Sequence, residues 1–159
     1  MNMKISNLMK LIISILICQI AGGIGAIVTY PSIKGWYESL QKPSFNPPNW
    51  IFGPVWTLLY VLMGISLFLI WKNNEKDNKS AISIFIVQLI LNVVWSCLFF
   101  GLHSPFLAFL EITILWFFIL FTIYKFWRID KISSLLLVPY ILWVTFASFP
   151  NFYIWKLNI

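Results

Sequence analysis

The scarcest feature of this 159-residue chain is charge, since only 10% of its residues are charged whereas 60% are hydrophobic. A soluble domain of this length cannot bury so much apolar surface in one small core. The composition therefore excludes an ordinary soluble fold. It indicates instead a protein whose apolar side chains face lipid.

Cysteine and histidine are also scarce, which excludes several kinds of site. Cys18 and Cys97 both fall within apolar stretches, so we expect small buried side chains and no disulfide framework. His103 is the single histidine and has no second ligand of a suitable type near it in sequence. A structural or solvated role is therefore favoured over a metal or haem-iron role. The sequence has no metal-binding cluster, phosphate-binding glycine loop or Ser/His/Asp set, and we expect no metal site.

Long charge-free runs are abundant instead. Four of them exceed the roughly 20 residues that a helix needs to cross a bilayer, and a further stretch, 105–124, contains Glu111 as its only charge. The first run is longer than a signal-peptide core and no cleavage motif follows it. The sequence therefore predicts an all-α integral membrane protein, a single domain over 1–159 with five transmembrane helices. Their predicted positions are about 8–30, 50–71, 81–101, 105–126 and 134–155.

The basic residues predict the orientation of these helices. The N-terminal side would hold Lys4, Lys10, Lys72, Lys76, Lys79, Lys125, Arg128 and Lys131, and the other side would hold Lys34, Lys42 and Lys156. This asymmetry predicts a cytoplasmic N-terminus, with the C-terminus and the long segment 31–49 outside, in what we expect to be a bacterial plasma membrane. Because the basic residues are spread over separate short loops, we expect no nucleic-acid partner.

The segment between the first two helices is unusually rich in proline. Pro43, Pro47 and Pro48 fix the backbone and block helix formation, whereas Pro54 falls in the first turn of the next helix, where it costs little. We therefore expect residues 31–49 to form a stiff, non-helical lid. Its aromatic side chains, Trp36, Tyr37 and Phe45, would fold over the mouth of the bundle.

Several notable side chains fall at a similar depth below that lid. Counting at 1.5 Å per residue places them on the order of 10 Å from the outer surface, with Trp143 nearer the midplane. The set comprises Gly22, Gly23, Gly25, Ala26, Trp56, Asn92, Trp95, Glu111, Trp143 and Ala147. Aromatic rings, polar groups and very small residues at a similar depth in the membrane predict a ligand pocket within the bundle.

Each group also has a simpler interpretation. Gln88, Asn92 and Ser96 form one stripe, which either lines the pocket or only joins helices by hydrogen bonds. For the small residues 22–26, close helix packing is favoured over ligand contact. Glu111 is a functional candidate because acidic side chains are rare inside membranes. The simpler interpretations are that its carboxyl group is protonated or is paired with a neighbouring polar side chain. The tryptophans near helix ends, Trp36, Trp50, Trp71, Trp127 and Trp155, are interpreted as interfacial anchors.

Three sequence blocks occur in order along the chain, namely WYESLQKPSFNPPNWIFGPVWTLLY (36–60), QLILNVVWSCLFF (88–100) and LVPYILWVTFA (137–147). Together they resemble the signature of the TspO/MBR family. The resemblance implies a five-helix bundle, usually a homodimer, that binds porphyrins such as protoporphyrin IX and haem. It also implies binding of cholesterol-like lipids and benzodiazepine-type drugs. No cofactor is required, and porphyrin is expected as a ligand.

The resemblance also implies which residues form the pocket. Carried over by motif position, the ligand-binding residues would be Tyr37, Trp56, Tyr60, Asn92, Trp95, Trp143 and Ala147. Some bacterial relatives are thought to promote light- and oxygen-dependent breakdown of protoporphyrin. For such chemistry Trp56 and Trp143 are the candidate catalytic residues, as electron donors or sites of oxidation beside a bound sensitiser.

One position departs from the family pattern. The family usually continues FAxxLN, whereas this chain has FASFPN at 146–151, so we expect Pro150 to kink the last helix or end its regular part early. That departure weakens any expectation of a cholesterol contact near the C-terminus.

Three functions remain open from the sequence. A binding or sensing protein for porphyrins and other hydrophobic ligands is favoured. The alternatives are an enzyme that degrades protoporphyrin and a tetrapyrrole transporter.

Overall fold

A computed structural model describes residues 6–73 and 78–159 of the chain. Lys4, Lys76 and the middle of the predicted 72–80 loop lie outside the described residues. The described part contains six α-helices, numbered here along the chain. They are α1 (Asn7–Ser32), α2 (Asn49–Lys72), α3 (Asn78–Ser96), α4 (Pro105–Trp127), α5 (Lys131–Leu136) and α6 (Val138–Leu157).

Local sequence explains where several helices begin. The Ser6 side chain caps α1 by accepting a hydrogen bond from the Met9 amide at 3.2 Å. At α4, Ser104 is the cap and Pro105 occupies the first turn, where its missing amide costs nothing. Asp130 caps α5 by accepting from the Ser133 amide at 2.7 Å. The Pro47-Pro48 pair precedes α2 and keeps the chain extended until that helix starts.

The prediction of five membrane spans is confirmed. Five helical segments are long and apolar enough to cross a membrane, at Asn7–Tyr37, Asn49–Lys72, Asn78–Gly101, Pro105–Trp127 and Lys131–Leu157. Helix α1 packs mainly on α2, α3 packs on α4, and α4 also packs on α6. The third and fourth spans, which are joined by a very short connection, are therefore neighbours. Short α5 lies against both α2 and α4.

The predicted lid, residues 31–49, starts too early. Helix α1 continues through Pro31 and is followed by a π-helical turn at Ile33–Tyr37, so Trp36 and Tyr37 belong to the first span. The backbone bends sharply inside this turn, where Gly35 has φ +97°, a conformation that side-chain-bearing residues rarely adopt. Only residues 40–48 form non-helical structure before α2. We call this shorter segment the cover.

The fifth span also differs from its prediction. It begins at Lys131 and is interrupted at Leu137, because Pro139, two residues further on, limits helix continuity there. Beyond that break, α6 runs without ending through Pro150 to Leu157. The expectation that Pro150 ends the regular part of this helix early was therefore wrong. Neighbouring helices commonly compensate for the missing amide of a proline within a membrane protein.

The two ends of the bundle are packed differently. We call the end where α1, α3 and α6 finish, and where α2 and α4 begin, the mouth end. At the opposite end Met63, Ile70, Phe85 and Phe126 are completely buried, and the Phe85 and Phe126 rings stack with centroids 5.7 Å apart. At the mouth end the helices diverge around a cavity.

Candidate functional site

The cavity at the mouth end has a volume of about 590 Å³. Its walls come mainly from α1, α2, α3, α6 and the turns that follow α1 and α3, with two residues each from α4 and from the cover. All seven residues predicted to bind ligand line it, namely Tyr37, Trp56, Tyr60, Asn92, Trp95, Trp143 and Ala147. The structure thus brings the whole predicted set together, whereas ligand binding by these residues stays a prediction.

Aromatic rings form opposite walls of this cavity. On α2 the Trp56 and Tyr60 rings lie 5.5 Å apart, and Phe52, one turn earlier, approaches Trp143 of α6 edge-on at 6.2 Å. On the α3 side Trp95 stacks on Phe99 at 5.1 Å. Such rings offer flat apolar faces to a guest. Phe52, Trp56 and Tyr60, which are spaced four residues apart on α2, therefore all line the cavity.

A buried hydrogen-bond chain forms the floor. The Tyr60 hydroxyl donates to Asn92 Oδ1, and Asn92 Nδ2 donates to the Tyr140 hydroxyl at 3.1 Å. Tyr140 is fully buried and does not line the cavity itself. Because both ends of the Asn92 amide are already engaged, its first role is to join α2, α3 and α6. Sequence reasoning identified Tyr60 and Asn92 but missed Tyr140, although it lies in the third sequence block.

A second missed residue holds the α3 wall. Asn151 Oδ1 accepts from the Trp95 indole N–H at 2.9 Å, while its Nδ2 donates to the Pro105 carbonyl at 2.8 Å. Asn151 is 2% exposed and joins α3, α4 and α6 at the mouth end. The Trp95 ring is consequently fixed in one orientation. Asn151 directly follows Pro150 in the sequence, and the sequence interpretation assigned a role only to the proline.

The cover is attached to the bundle at two places. Asn46 exchanges hydrogen bonds with the Tyr37 hydroxyl at 3.1 and 3.3 Å. Asn158 binds both the amide and the carbonyl of Gln41, at 3.0 and 2.9 Å. These contacts fasten the cover to the end of the first span and to the end of α6.

The aromatic residues predicted for the lid are distributed differently. Tyr37 lines the cavity from the first span, whereas Phe45 packs edge-on against Tyr153 of α6 and does not line it. Trp36 stacks on His103 with ring centroids 4.3 Å apart and approaches Phe99 at 5.5 Å. Trp36 therefore packs against other aromatic rings, in contrast to Trp50, which is 74% exposed as expected of an interfacial anchor.

The small residues of α1 allow close helix packing and also line the cavity, so they agree with both interpretations that the sequence left open. Gly22 lies so close to the Tyr60 ring that a side chain there would overlap it, and a Cβ at Gly25 would come within 3.1 Å of Ser96 Oγ. Gly23 has open space at the corresponding point. All three also line the cavity. Their absent side chains thus permit close packing and leave room in the cavity at the same time.

Two polar candidates, Glu111 from the predicted layer and Gln88 from the predicted stripe on α3, lie outside the cavity wall. Glu111 is 6% exposed and Gln88 is 1% exposed, and neither lines the cavity. Within the described ranges their side-chain oxygen and nitrogen atoms have no hydrogen-bond partner. Glu111 therefore does not belong to the pocket layer that its depth predicted. The stripe on α3 divides similarly, since Asn92 and Ser96 line the cavity while Gln88 lies deeper.

His103 has a structural environment. Its Nε2 lies 3.2 Å from the Ser32 hydroxyl, which in turn donates to the Phe100 carbonyl at 2.7 Å. Together with the Trp36 stack, these contacts join the ends of the first and third spans. Among residues 6–73 and 78–159 there is no group of three or more His, Cys, Asp or Glu side chains that could hold a metal ion.

Comparisons with known proteins place the chain in a family. The family model described as TspO/MBR family matches residues 14–156. The chain belongs to the TspO/MBR family. It is 43% identical over 156 residues to the tryptophan-rich protein TspO of Chlorobaculum tepidum, with 96% of this chain and 98% of the relative covered.

More distant TspO/MBR relatives cover less of the chain. The tryptophan-rich sensory protein of Cereibacter sphaeroides is 33% identical over 123 residues, with 77% of both chains covered. The human translocator protein is 31% identical over 146 residues, with 87% of this chain and 86% of that one covered. As a TspO/MBR protein with five spanning helices, the chain is an integral membrane protein.

Proposed function

We propose that this protein is a membrane sensor or receptor that binds porphyrins, and other flat hydrophobic molecules, in the cavity at the mouth end. The observation that carries the proposal is the cavity itself, with a volume of about 590 Å³ and walls of indole and phenol rings. Sites for drug-sized ligands usually measure roughly 300–1,000 Å³ and combine apolar walls with a few polar groups. The names of the relatives, sensory protein and translocator protein, agree with a receptor role.

The chemistry of a porphyrin matches the arrangement of the walls. Its macrocycle is apolar on both faces, and protoporphyrin IX carries two carboxylates on one edge. Trp56, Trp95 and Trp143 would stack on the faces. The carboxylates would point to the mouth, where Lys42 Nζ lies 4.6 Å from the centre of the Tyr37 ring. Lys34, which lies within the π-helical turn Ile33–Tyr37 at the same end, would also pair with them.

Planarity of the guest provides a sharp test. Protoporphyrinogen has the same side groups as protoporphyrin IX, but its saturated bridges pucker the ring. The protein in lipid nanodiscs would be titrated with each compound, in the dark and without oxygen, while tryptophan fluorescence is followed. We expect saturable quenching at one porphyrin per chain and at least tenfold weaker binding of the puckered compound. Equal affinity for both, or quenching that never saturates, would argue against a flat site.

A second candidate function is photo-oxidative degradation of protoporphyrin. The observation in its favour is that Trp56 and Trp143 both line the cavity, and that Trp143 Nε1 is buried without a partner among the described residues. Excess porphyrin would be illuminated in air with the wild type and with the W56F and W143F variants. Conversion of more than one equivalent per chain, lost in the variants while binding persists, would establish an enzyme. Conversion that stops at one equivalent supports the receptor.

Transport, the third function, remains a prediction of the sequence. It requires directional accumulation of porphyrin in sealed vesicles that contain the protein, compared with empty vesicles. The receptor proposal expects the vesicles with protein to hold at most one additional porphyrin per chain, which is the bound equivalent.

A further inference from the structure

A second concavity lies on the surface between α2 and α6, with a volume of about 380 Å³. Leu58 and Leu142, on its two sides, are 59% and 63% exposed, and both belong to membrane-spanning segments, so this groove faces lipid. All of the side chains that line it are apolar. They are Val55, Leu58, Leu59, Pro139, Leu142, Trp143 and Phe146.

The groove and the cavity share a wall. Trp143 and Phe146 line both of them. The two rings lie 5.6 Å apart, and Phe52 extends the layer from the α2 side at 6.2 Å from Trp143. A thin aromatic layer therefore separates the interior of the bundle from the hydrocarbon of the bilayer.

Along the groove the seam between α2 and α6 is packed by apolar side chains, and at its inner end Asn92 links the two helices indirectly, by bonding to Tyr60 of α2 and Tyr140 of α6. In the part of the chain that the structure describes, no hydrogen bond joins these two helices. Helix α2 is bonded to α3 through Tyr60 and Asn92, and to α5 through Ser66 and Ser133. Helix α6 is bonded to α3 and α4. Because lipid tails can replace apolar contacts between helices, parting this seam costs less than parting a hydrogen-bonded one.

The Trp143 side chain is also less constrained than two other tryptophans within the spans. The Trp95 N–H is held by Asn151 at 2.9 Å, and the Trp116 N–H is held by Thr145 at 2.8 Å. By contrast, Trp143 Nε1 is buried and has no partner among the described residues. Rotation of the Trp143 ring therefore breaks no hydrogen bond. Such a ring is suited to moving aside and returning.

From these observations we propose that the α2–α6 seam is a lateral gate, through which a hydrophobic ligand passes between the bilayer and the cavity when the Trp143 and Phe146 rings rotate. The inference rests on the proposed function, since it concerns how that ligand reaches its site. Two further facts favour this route. A poorly soluble, apolar ligand concentrates in lipid, and the mouth is spanned by a cover that hydrogen bonds attach to both α6 and the first span.

The first test blocks the groove without altering the cavity. In the L142W variant a large ring would fill the groove from its lipid-facing side, and I114W is the matched control, because Ile114 is 50% exposed on α4 and lies outside both concavities. Stopped-flow measurements on nanodiscs would follow the porphyrin Soret absorbance. Blocking a gate raises the free-energy barrier to ligand passage but does not change the free energies of the bound and unbound states. Association and dissociation should therefore both slow at least tenfold in L142W, with Kd unchanged within twofold. The I114W rates should equal those of the wild type.

Two results would overturn the gate. One is L142W rates within twofold of the wild type, which would mean that ligand reaches the cavity by another route. The other is a changed Kd at an unchanged association rate, which would mean that the substitution acts within the site. L58W, which fills the groove from the α2 side, should reproduce the L142W result. Agreement between the two variants would show that the slower rates do not come from a folding defect in one of them.

A second test does not depend on porphyrin binding. The A147C variant, in a background with C18A and C97A, places one thiol in the cavity wall. A lipid-soluble pyrene maleimide should label this thiol from the bilayer, and adding L142W should slow the labelling at least tenfold. Unchanged labelling would contradict the gate even if porphyrin binds. If porphyrin does not bind, the proposed function fails, while this measurement still tests the gate.

Discussion

The two ends of the helical bundle use similar residues to opposite effect. At the closed end Phe85, Phe126 and Met63 are fully buried in a continuous core, and the Ser66 and Ser133 hydroxyls hydrogen-bond to each other. At the mouth end equally large rings stand around open space. Apolar walls that face an empty volume lose the dispersion contacts a packed core would give them. The difference indicates that the closed end maintains the fold, while the mouth end has less side-chain packing and keeps a cavity open.

The largest effect should come from damaging the closed end. In F85A the ring stacked on Phe126 at 5.7 Å is removed from a site with no exposed surface. We expect a loss of about 3–5 kcal/mol in the free energy of unfolding, because a buried cavity replaces the ring. Unfolding by SDS titration in micelles would measure it. The folded fraction should bind porphyrin with wild-type affinity, and a weakened Kd there would show that the two ends are not separate in function.

An intermediate effect should come from the boundary between the two ends. N92A removes the partner of both the Tyr60 and the Tyr140 hydroxyls. We expect a loss of roughly 1–3 kcal/mol in stability, since Tyr140 is left buried with an unsatisfied hydroxyl. Porphyrin affinity should fall as well, because the floor of the cavity loses its support. The control, Y140F, removes one bond of the chain and should cost less by both measures.

If N92A and Y140F were equally stable, Asn92 would not be the junction between the two ends. The same SDS titration would decide between these outcomes.

The smallest effect should come from the rim of the mouth end. Lys42 is a half-buried cation at this rim, and a partly solvated charge contributes up to about 1 kcal/mol to an ion pair. We expect K42Q to weaken protoporphyrin IX binding up to about fivefold and to leave protoporphyrin dimethyl ester, which has no carboxylates, unaffected. Fluorescence titrations with both compounds would measure this difference. An equal loss for the ester would show that Lys42 acts by positioning Tyr37 and not by its charge.

The fold was largely predictable because span length and hydropathy are local properties. The five spans followed directly from the charge-free runs, but their ends did not. The first span was predicted to end at about residue 30, whereas α1 continues through Pro31 to Ser32 and the bend occurs later, at Gly35. Pro150 was likewise expected to interrupt α6, and the helix continues to Leu157.

The cavity walls were predictable from depth and motif position, but their polar supports were not. Depth along a helix can be counted, whereas the direction of a side chain depends on how the helix is rotated against its neighbours. Glu111 was therefore placed in the layer although the adjacent Ile112 lines the cavity in its place. Tyr140 and Asn151 were missed because their partners, Asn92 and Trp95, lie on another helix.

The most direct test of the central claim fills the space at the mouth end. Ala147 lines the cavity, and in A147F a phenyl ring would occupy part of it without removing any hydrogen bond. Protoporphyrin IX would be titrated into nanodiscs that contain the wild type or A147F, with thermal unfolding of each chain measured alongside. The account predicts at least tenfold weaker binding and undiminished thermal stability in A147F. Binding of unchanged affinity in a folded A147F chain would contradict it.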